Sequence, residues 1–209
     1  MTKMVYVLGL SVCAFLPLAL HAEDVPQNPD WPCAQILVPE IPAAVVWAGP
    51  SIEGMQKTWE QDAEVASLVR RLTSRDYVID DADGEIGAFA AKQPANEREH
   101  KLTLLFAGIH QTLNEARSKK LDGIILYSQG QAQRADRLSR DLDEMVRLQD
   151  NEDPSPAAKE RLAMMQKEME LKQRMFDERE MSIQHLCTRP VVIEQKLGAL
   201  ARTIAYYLD

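Results

Sequence analysis

The sequence predicts an all-α protein: a helical bundle with a long antiparallel, coiled-coil-like hairpin and an extended Pro-rich N-terminal strap. Three observations lead there. Apolar residues recur at alternating steps of three and four over most of the chain, the period of a helix face, and no stretch shows the two-residue alternation of a half-buried strand. The composition favours helix, with only 6% aromatic residues and many Ala, Leu, Met, Glu, Gln, Lys and Arg. Six of the eleven prolines crowd into residues 23–54, which leaves the remainder free to form long helices.

Residues 1–22 read as a secretory signal peptide. Lys3 supplies the positive start, MVYVLGLSVCAFLPLAL the apolar run, and Ala22 the small residue at the cut. An uncleaved anchor is the other reading, for which the run is short against the ~20 apolar residues of a membrane span. No later segment reaches that length, so no span is expected after signal cleavage, and the expected location is the periplasm. The formal net charge is −8, and loss of Lys3 makes the chain more acidic still. That balance argues against sequence-independent nucleic-acid binding, which needs clustered cations to displace counterions.

Residues 23–54 form the strap. Pro26, Pro29, Pro32, Pro39, Pro42 and Pro50 forbid a single helix, while ILV and AAVVWAG are too apolar for a free linker. Trp31 and Trp47 are expected to pin the strap by burial; lining a ligand site is their alternative role. A single helical domain, residues 55–209, follows. Its first helix is expected over about 54–73, with Met55, Trp59, Ala63, Ala66 and Val69 on one stripe, and its second over about 78–92. KQPANE ends that helix at Pro94. From Asn96 or Glu97 a pattern of about 50 residues runs through Leu102, Phe106, Ile109, Leu113 and Ala116. It resumes after Gly123 through Ile124, Ser128, Gln131, Ala135, Leu138, Leu142 and Met145. It is either one helix or two, with Gly123 and Gly130 the places for a kink.

QDNEDPSP is a turn, after which Ser155 can cap a helix with Pro156 at its first position. Leu162, Met165, Met169, Lys172, Phe176 and Arg179 then follow the seam spacing of a coiled coil, so the chain folds back into a hairpin spanning about 121–187. Charged Lys172 and Arg179 on that seam suggest a loose stretch or a contact with other elements. Glu168–Lys172, Glu170–Arg174 and Asp143–Arg147 are spaced for ion pairs along the helices. Pro190 is expected to open a separate final helix whose face is Ile193, Leu197, Leu200, Ile204 and Leu208.

Of three cysteines, Cys13 falls in the signal, leaving Cys33 and Cys187 as an even pair in an oxidising compartment. A Cys33–Cys187 disulfide is expected; two free thiols in redox chemistry are the alternative, without a C-x-x-C to lower either pKa. DDADGEIGAF fails as a calcium loop, because Ile79 and Ala90 would occupy carboxylate positions. Glu97 and His100 make only half of a di-iron motif. The long hairpin helix carries Met175, Met181 and His185, soft donors that could hold copper(I), although Met is also an ordinary core filler. No serine elbow, H-E-x-x-H or phosphate-cradling loop is present, so no catalytic residue is assigned and no cofactor is expected.

DWPC near the mature start, LTLLFAGIHQTLN in the long helix and C-x-x-P-V-V-I-E-Q-K-L near the end resemble a group of exported proteobacterial helical proteins with an N-terminal D-W-P-C motif and no known activity. The resemblance implies export and brings no catalytic residue. The hairpin is also similar, in shape alone, to periplasmic chaperone arms and efflux-adaptor hairpins. The expected role is that of a periplasmic accessory or scaffold protein, chaperone-like in acting by contact through its hairpin on another periplasmic protein or on a second copy. A small-ligand or copper-binding protein is the alternative.

Overall fold

The computed structural model describes residues 28–208. The segment 1–22 expected to be a signal, Cys13 included, lies outside the described residues. The described residues are helical without a strand: α1 (Ala43–Val46), α2 (Ala63–Thr73), α3 (Ala82–Lys92), α4 (Ala95–Gln149) and α5 (Pro156–Tyr206). At 1.5 Å per residue, α4 is about 80 Å long and α5 about 75 Å. They run antiparallel for most of their length.

The strap crosses the base of this pair in extended backbone, interrupted by the one-turn α1 after Pro42. The first helix starts later than the apolar stripe suggests. Residues 55–61 form two 3-10 turns, Met55–Lys57 and Trp59–Gln61, entered through Gly54 at φ 80°. The physical reason is the cap: Asp62 is extended, and its carboxylate accepts the Glu64 and Val65 N–H groups that would otherwise be orphaned. α3 is likewise preceded by a 3-10 turn, Ile79–Asp81, so the expected helix from 78 is α-helical only from Ala82.

The main core lies at the root of the hairpin. Leu102, Leu105, Phe106, Ile109 and Leu113 of α4 meet Val65, Val69 and Leu72 of α2, Ile86 and Phe89 of α3, and Leu197, Leu200 and Ile204 of α5. Gly108 permits a close approach of α2 and the Trp59 turn, since a Cβ there would stand 2.7 Å from Val69 and 2.8 Å from the Trp59 ring. A second, smaller cluster of Trp31, Cys33, Leu121 and Ile124 follows along α4, packed by Leu186 and Cys187. Beyond it, the only buried residues of the hairpin are Gln131, Met145 and Met169, apart from the root. The distal hairpin therefore projects from the bundle.

The choice between one long helix and two resolves as one, and the boundary at Pro190 differs from expectation. α4 passes through Gly123 and Gly130 without a break. Pro190 does not open a final helix; it sits buried inside α5. Proline withholds the N–H that the Leu186 carbonyl would accept. The loss is tolerated because the apolar period continues in step across it, through Ile183, Cys187, Pro190, Ile193 and Leu197. The strap also reinforces this turn: the Gln35 amide donates to the Cys187 carbonyl at 2.8 Å. At the far end Ser155 caps α5 by accepting the Ala158 N–H, with Pro156 at the first position.

Cys33 and Cys187 form a disulfide, with Cα atoms 5.7 Å apart and a sequence separation of 154. Closing a loop of that length stabilises the fold by about 5 kcal/mol in the chain-entropy model. Cys33→Ser is expected to lower the urea midpoint and raise the exposure of Trp31, seen as a red-shifted emission, while far-UV ellipticity is kept. A second outcome follows from Asp62. Burial pushes its carboxyl up, but the Lys101 ammonium and the Val65 and Glu64 N–H groups together hold it below its ordinary 3.8. A lowered carboxyl pKa stabilises the fold above the unfolded value and ceases to do so as pH falls through the folded one. Asp62→Ala should therefore cost about 1 kcal/mol at pH 7, and denaturation curves of variant and parent should converge below pH 3.8.

Candidate functional site

Two features of the structure could carry function: the clamp that holds the strap, and a trough on the side of the hairpin.

The clamp is built on one face of α4. His110, Asn114, Arg117 and Leu121 recur at steps of four, three and four, so they stand one above another. The three polar members are all buried. Asn114 engages a single residue of the strap twice: its Oδ1 accepts the Ile41 N–H at 3.0 Å, and its Nδ2 donates to the Ile41 carbonyl at 3.1 Å. His110 Nε2 lies 2.8 Å from the same carbonyl, which assigns the proton to that nitrogen. One turn on, Arg117 donates to the Val38 carbonyl at 2.6 Å and, through Nε, to Glu194 of α5 at 2.6 Å. Arg117 thus ties strap, α4 and α5 together. Its charge is buried, so the Glu194 carboxylate and the strap carbonyls are what make that burial tolerable.

Both strap tryptophans are buried. Trp47 stacks on Phe106 with ring centroids 4.1 Å apart and donates to the Pro50 carbonyl. Trp31 donates to the Gln35 carbonyl and packs on Leu121 and Ile124. Asp30 accepts from Gln129, carrying the attachment one turn further up α4. A shallow cleft of about 470 Å³ runs beside the clamp, past Pro39, His110 and Asn114. It holds no Ser, Cys or carboxylate paired with a base in the manner of a nucleophile.

The trough lies between α4 and α5 in the projecting hairpin. A cavity of about 510 Å³ is floored by Leu138 and Phe176, with Met175 on one wall and Arg134, Arg137, Arg140, Lys172 and Arg179 around it. Its cause is polar residues on the seam. The inward face of α4 is Gln131, Arg134, Leu138, Asp141 and Met145, one residue displaced at two places from the expected Ala135 and Leu142, both of which are exposed. Gln131 is buried and reaches the Phe176 carbonyl at 3.4 Å. Lys172 bridges Asp141 of α4 and Glu168 of its own helix, at 3.0 and 3.3 Å. Long charged side chains cannot interlock as Leu does, so the helices leave a gap. The loose stretch expected at Lys172 and Arg179 is this gap.

The remaining pairings along the hairpin are superficial. Glu144–Arg161 and Glu170–Arg174 form ion pairs at 2.6 and 3.7 Å, whereas Arg147 donates to the Asp143 backbone carbonyl and not to its carboxylate. Met175, Met181 and His185 are not brought together as a ligand set. Six residues of one helix separate the two methionines by about 9 Å along the axis and a third of a turn around it, and both are exposed. Met181 and His185 share a face, giving two donors. Among the described residues, no three His, Cys, Asp or Glu side chains group as metal ligands would. Glu97 and His100 are exposed on the first turns of α4.

Sequence reasoning found Cys33, Cys187, Trp31 and Trp47 and missed the clamp. The available signal was the polar set His110, Asn114 and Arg117 in register with the apolar stripe. Asn114→Ala is expected to leave the Ile41 N–H unsatisfied and to cost about 1–3 kcal/mol. Hydrogen exchange should then show lost protection at Ile41 while α2 and α3 keep theirs. Equal protection in the variant and the parent would refute the clamp.

Among the described residues no helix is long and apolar enough to cross a membrane. Compared with protein-family models, curated proteins and solved structures, the chain matches none.

Proposed function

We propose that this chain is an exported accessory protein that works by contact, its projecting hairpin being the working surface and its strapped bundle the mount. The carrying observation is that the distal halves of both long helices lie outside the core yet present large apolar side chains. Leu126 is 70% exposed, and Leu142, Val146, Met164, Leu171 and Met175 are each 46–55% exposed. Scattered single apolar residues are normal on a surface; six on one slender projection form the kind of surface that a partner covers. The Cys33–Cys187 bond supports an oxidising location such as the periplasm, as does the signal-like start of the sequence. The proposed partner is another periplasmic protein or a second copy of this chain.

Photo-crosslinking groups placed at Leu142, Leu171 and, as a control on the bundle, Ser67 test the reading in cells. Crosslinked products are expected from the hairpin positions and not from Ser67. Removing one matched heptad from each helix, residues 142–148 with 158–164, preserves the seam while shortening the projection. A shortened protein that folds and leaves every cellular phenotype unchanged would overturn the proposal.

A further inference from the structure

We infer that the trough between α4 and α5 docks an acidic amphipathic helix of a partner protein, lying along the hairpin as a third helix. The inference rests on the reading of the hairpin as a contact surface and names what that surface recognises. The cavity described above shares Arg134 and Arg179 with a second one of about 240 Å³ lined by Gly123, Leu126, Tyr127 and Gly130. Together they make one trough from Gly123 to Asp141, about 27 Å or five turns long. Its apolar lining runs from Leu126 through Leu138 to Phe176 and Met175. Leu171 and Met164, four and eleven residues before Met175, continue that face of α5 toward the tip.

Charge chooses the occupant. In a chain of net charge −8, four arginines and Lys172 line this trough with Asp141 as its single carboxylate. Lys172 is already neutralised by Asp141 and Glu168, whereas Arg137, Arg140 and Arg179 make no ion pair among the described residues. The cations line a concave strip between two helices, not an outward plane, so a flat bilayer would meet only the rim. A long polyanion would be repelled by the rest of the acidic chain. A short helix with acidic flanks and an apolar spine meets both the floor and the rim.

The glycines supply a separate argument. Gly123 and Gly130 stand one heptad apart on the trough wall, and each weakens a helix relative to Ala. Internal packing does not require Gly123, since a Cβ there would meet nothing within 4 Å; at Gly130 the nearest atom is the flexible Arg134 guanidinium. A bare backbone on this wall admits close approach from outside.

The probe is a labelled 18-residue peptide with a Leu spine and Glu flanks, compared with its Lys-flanked counterpart by fluorescence anisotropy on the intact protein. The acidic peptide is expected to bind, more weakly as salt rises, and the basic one not to bind. The double variant Arg137→Glu/Arg179→Glu should weaken binding by about tenfold or more. Gly123→Leu should stabilise the fold, because Leu is the better helix former, and yet weaken peptide binding. That opposition separates trough filling from misfolding. Equal binding of both peptides, no binding of either, or undiminished binding to Gly123→Leu would overturn the inference. So would a dimer abolished by Arg137→Glu, which would make a second copy the occupant, or Arg137-dependent sedimentation with phosphatidylglycerol vesicles. Crosslinks from Leu142 persisting while the peptide fails to bind would overturn the trough alone and leave the hairpin's role standing.

Discussion

Asn114 pairs with both the N–H and the carbonyl of Ile41, and through that one residue the strap becomes part of the bundle. A strap of extended backbone has no helix or sheet partner of its own, so its polar groups must find partners elsewhere or stay wet. α4 provides them in a column: His110 and Asn114 at Ile41, and Arg117 at Val38 and Pro39. Those side chains depend on the strap in turn, because burying them without it would leave an amide and an imidazole short of partners and the Arg117 guanidinium with Glu194 alone. The mutual need specifies register. Sliding the strap by one residue would present side chains where carbonyls are required. Trp31 and Trp47, on either side of the clamp, then find their pockets, and Cys33 arrives beside Cys187.

The bundle root and the hairpin arm obey different rules. At the root, close-packed Leu, Ile, Val and Phe exclude water and carry most of the stabilisation. Along the arm, the seam mixes Met145 and Met169 with Gln131, Arg134, Asp141 and Lys172, and its ion pairs lie in solvent. Exposed pairs contribute little, about 0–1 kcal/mol each. The arm is therefore held together by helix continuity and by the root as much as by its own seam. A seam of that kind trades tight interlocking for an accessible, basic, partly apolar gap.

Much of this architecture was legible. The all-α class, the 50-residue pattern and the turn at QDNEDPSP follow from apolar period and turn chemistry, and the disulfide from cysteine number and setting. The departures have particular causes. The unbroken stripe from Met55 to Val69 predicts Asp62 inside a helix, yet its carboxylate caps at that point and Trp59 turns under Gly108. Local preference predicts Pro190 as a helix start, while the period through Ile183, Cys187 and Ile193 carries the helix across it. Apolar character predicts Ala135 and Leu142 on the seam, and the structure seats Arg134 and Asp141 there. The clamp was the least legible, since Ile41 and Asn114 lie 73 residues apart and nothing local announces that a polar stripe will be covered.

The position of Pro190 gives the arm a mechanical character. A helix bends most readily where a backbone bond is missing, and the bond missing here, to Leu186, lies beside Cys187, where the strap is welded and Gln35 adds its own hold. The weakest turn of α5 thus carries a splint at the foot of the arm. From Cys187 to Ser155 the arm extends about 48 Å, so a swing of only about 5° at the foot would carry the tip by roughly 4 Å. With the splint in place the tip is aimed; with the sulfurs reduced, the same length becomes a lever that amplifies every small flexing of its base.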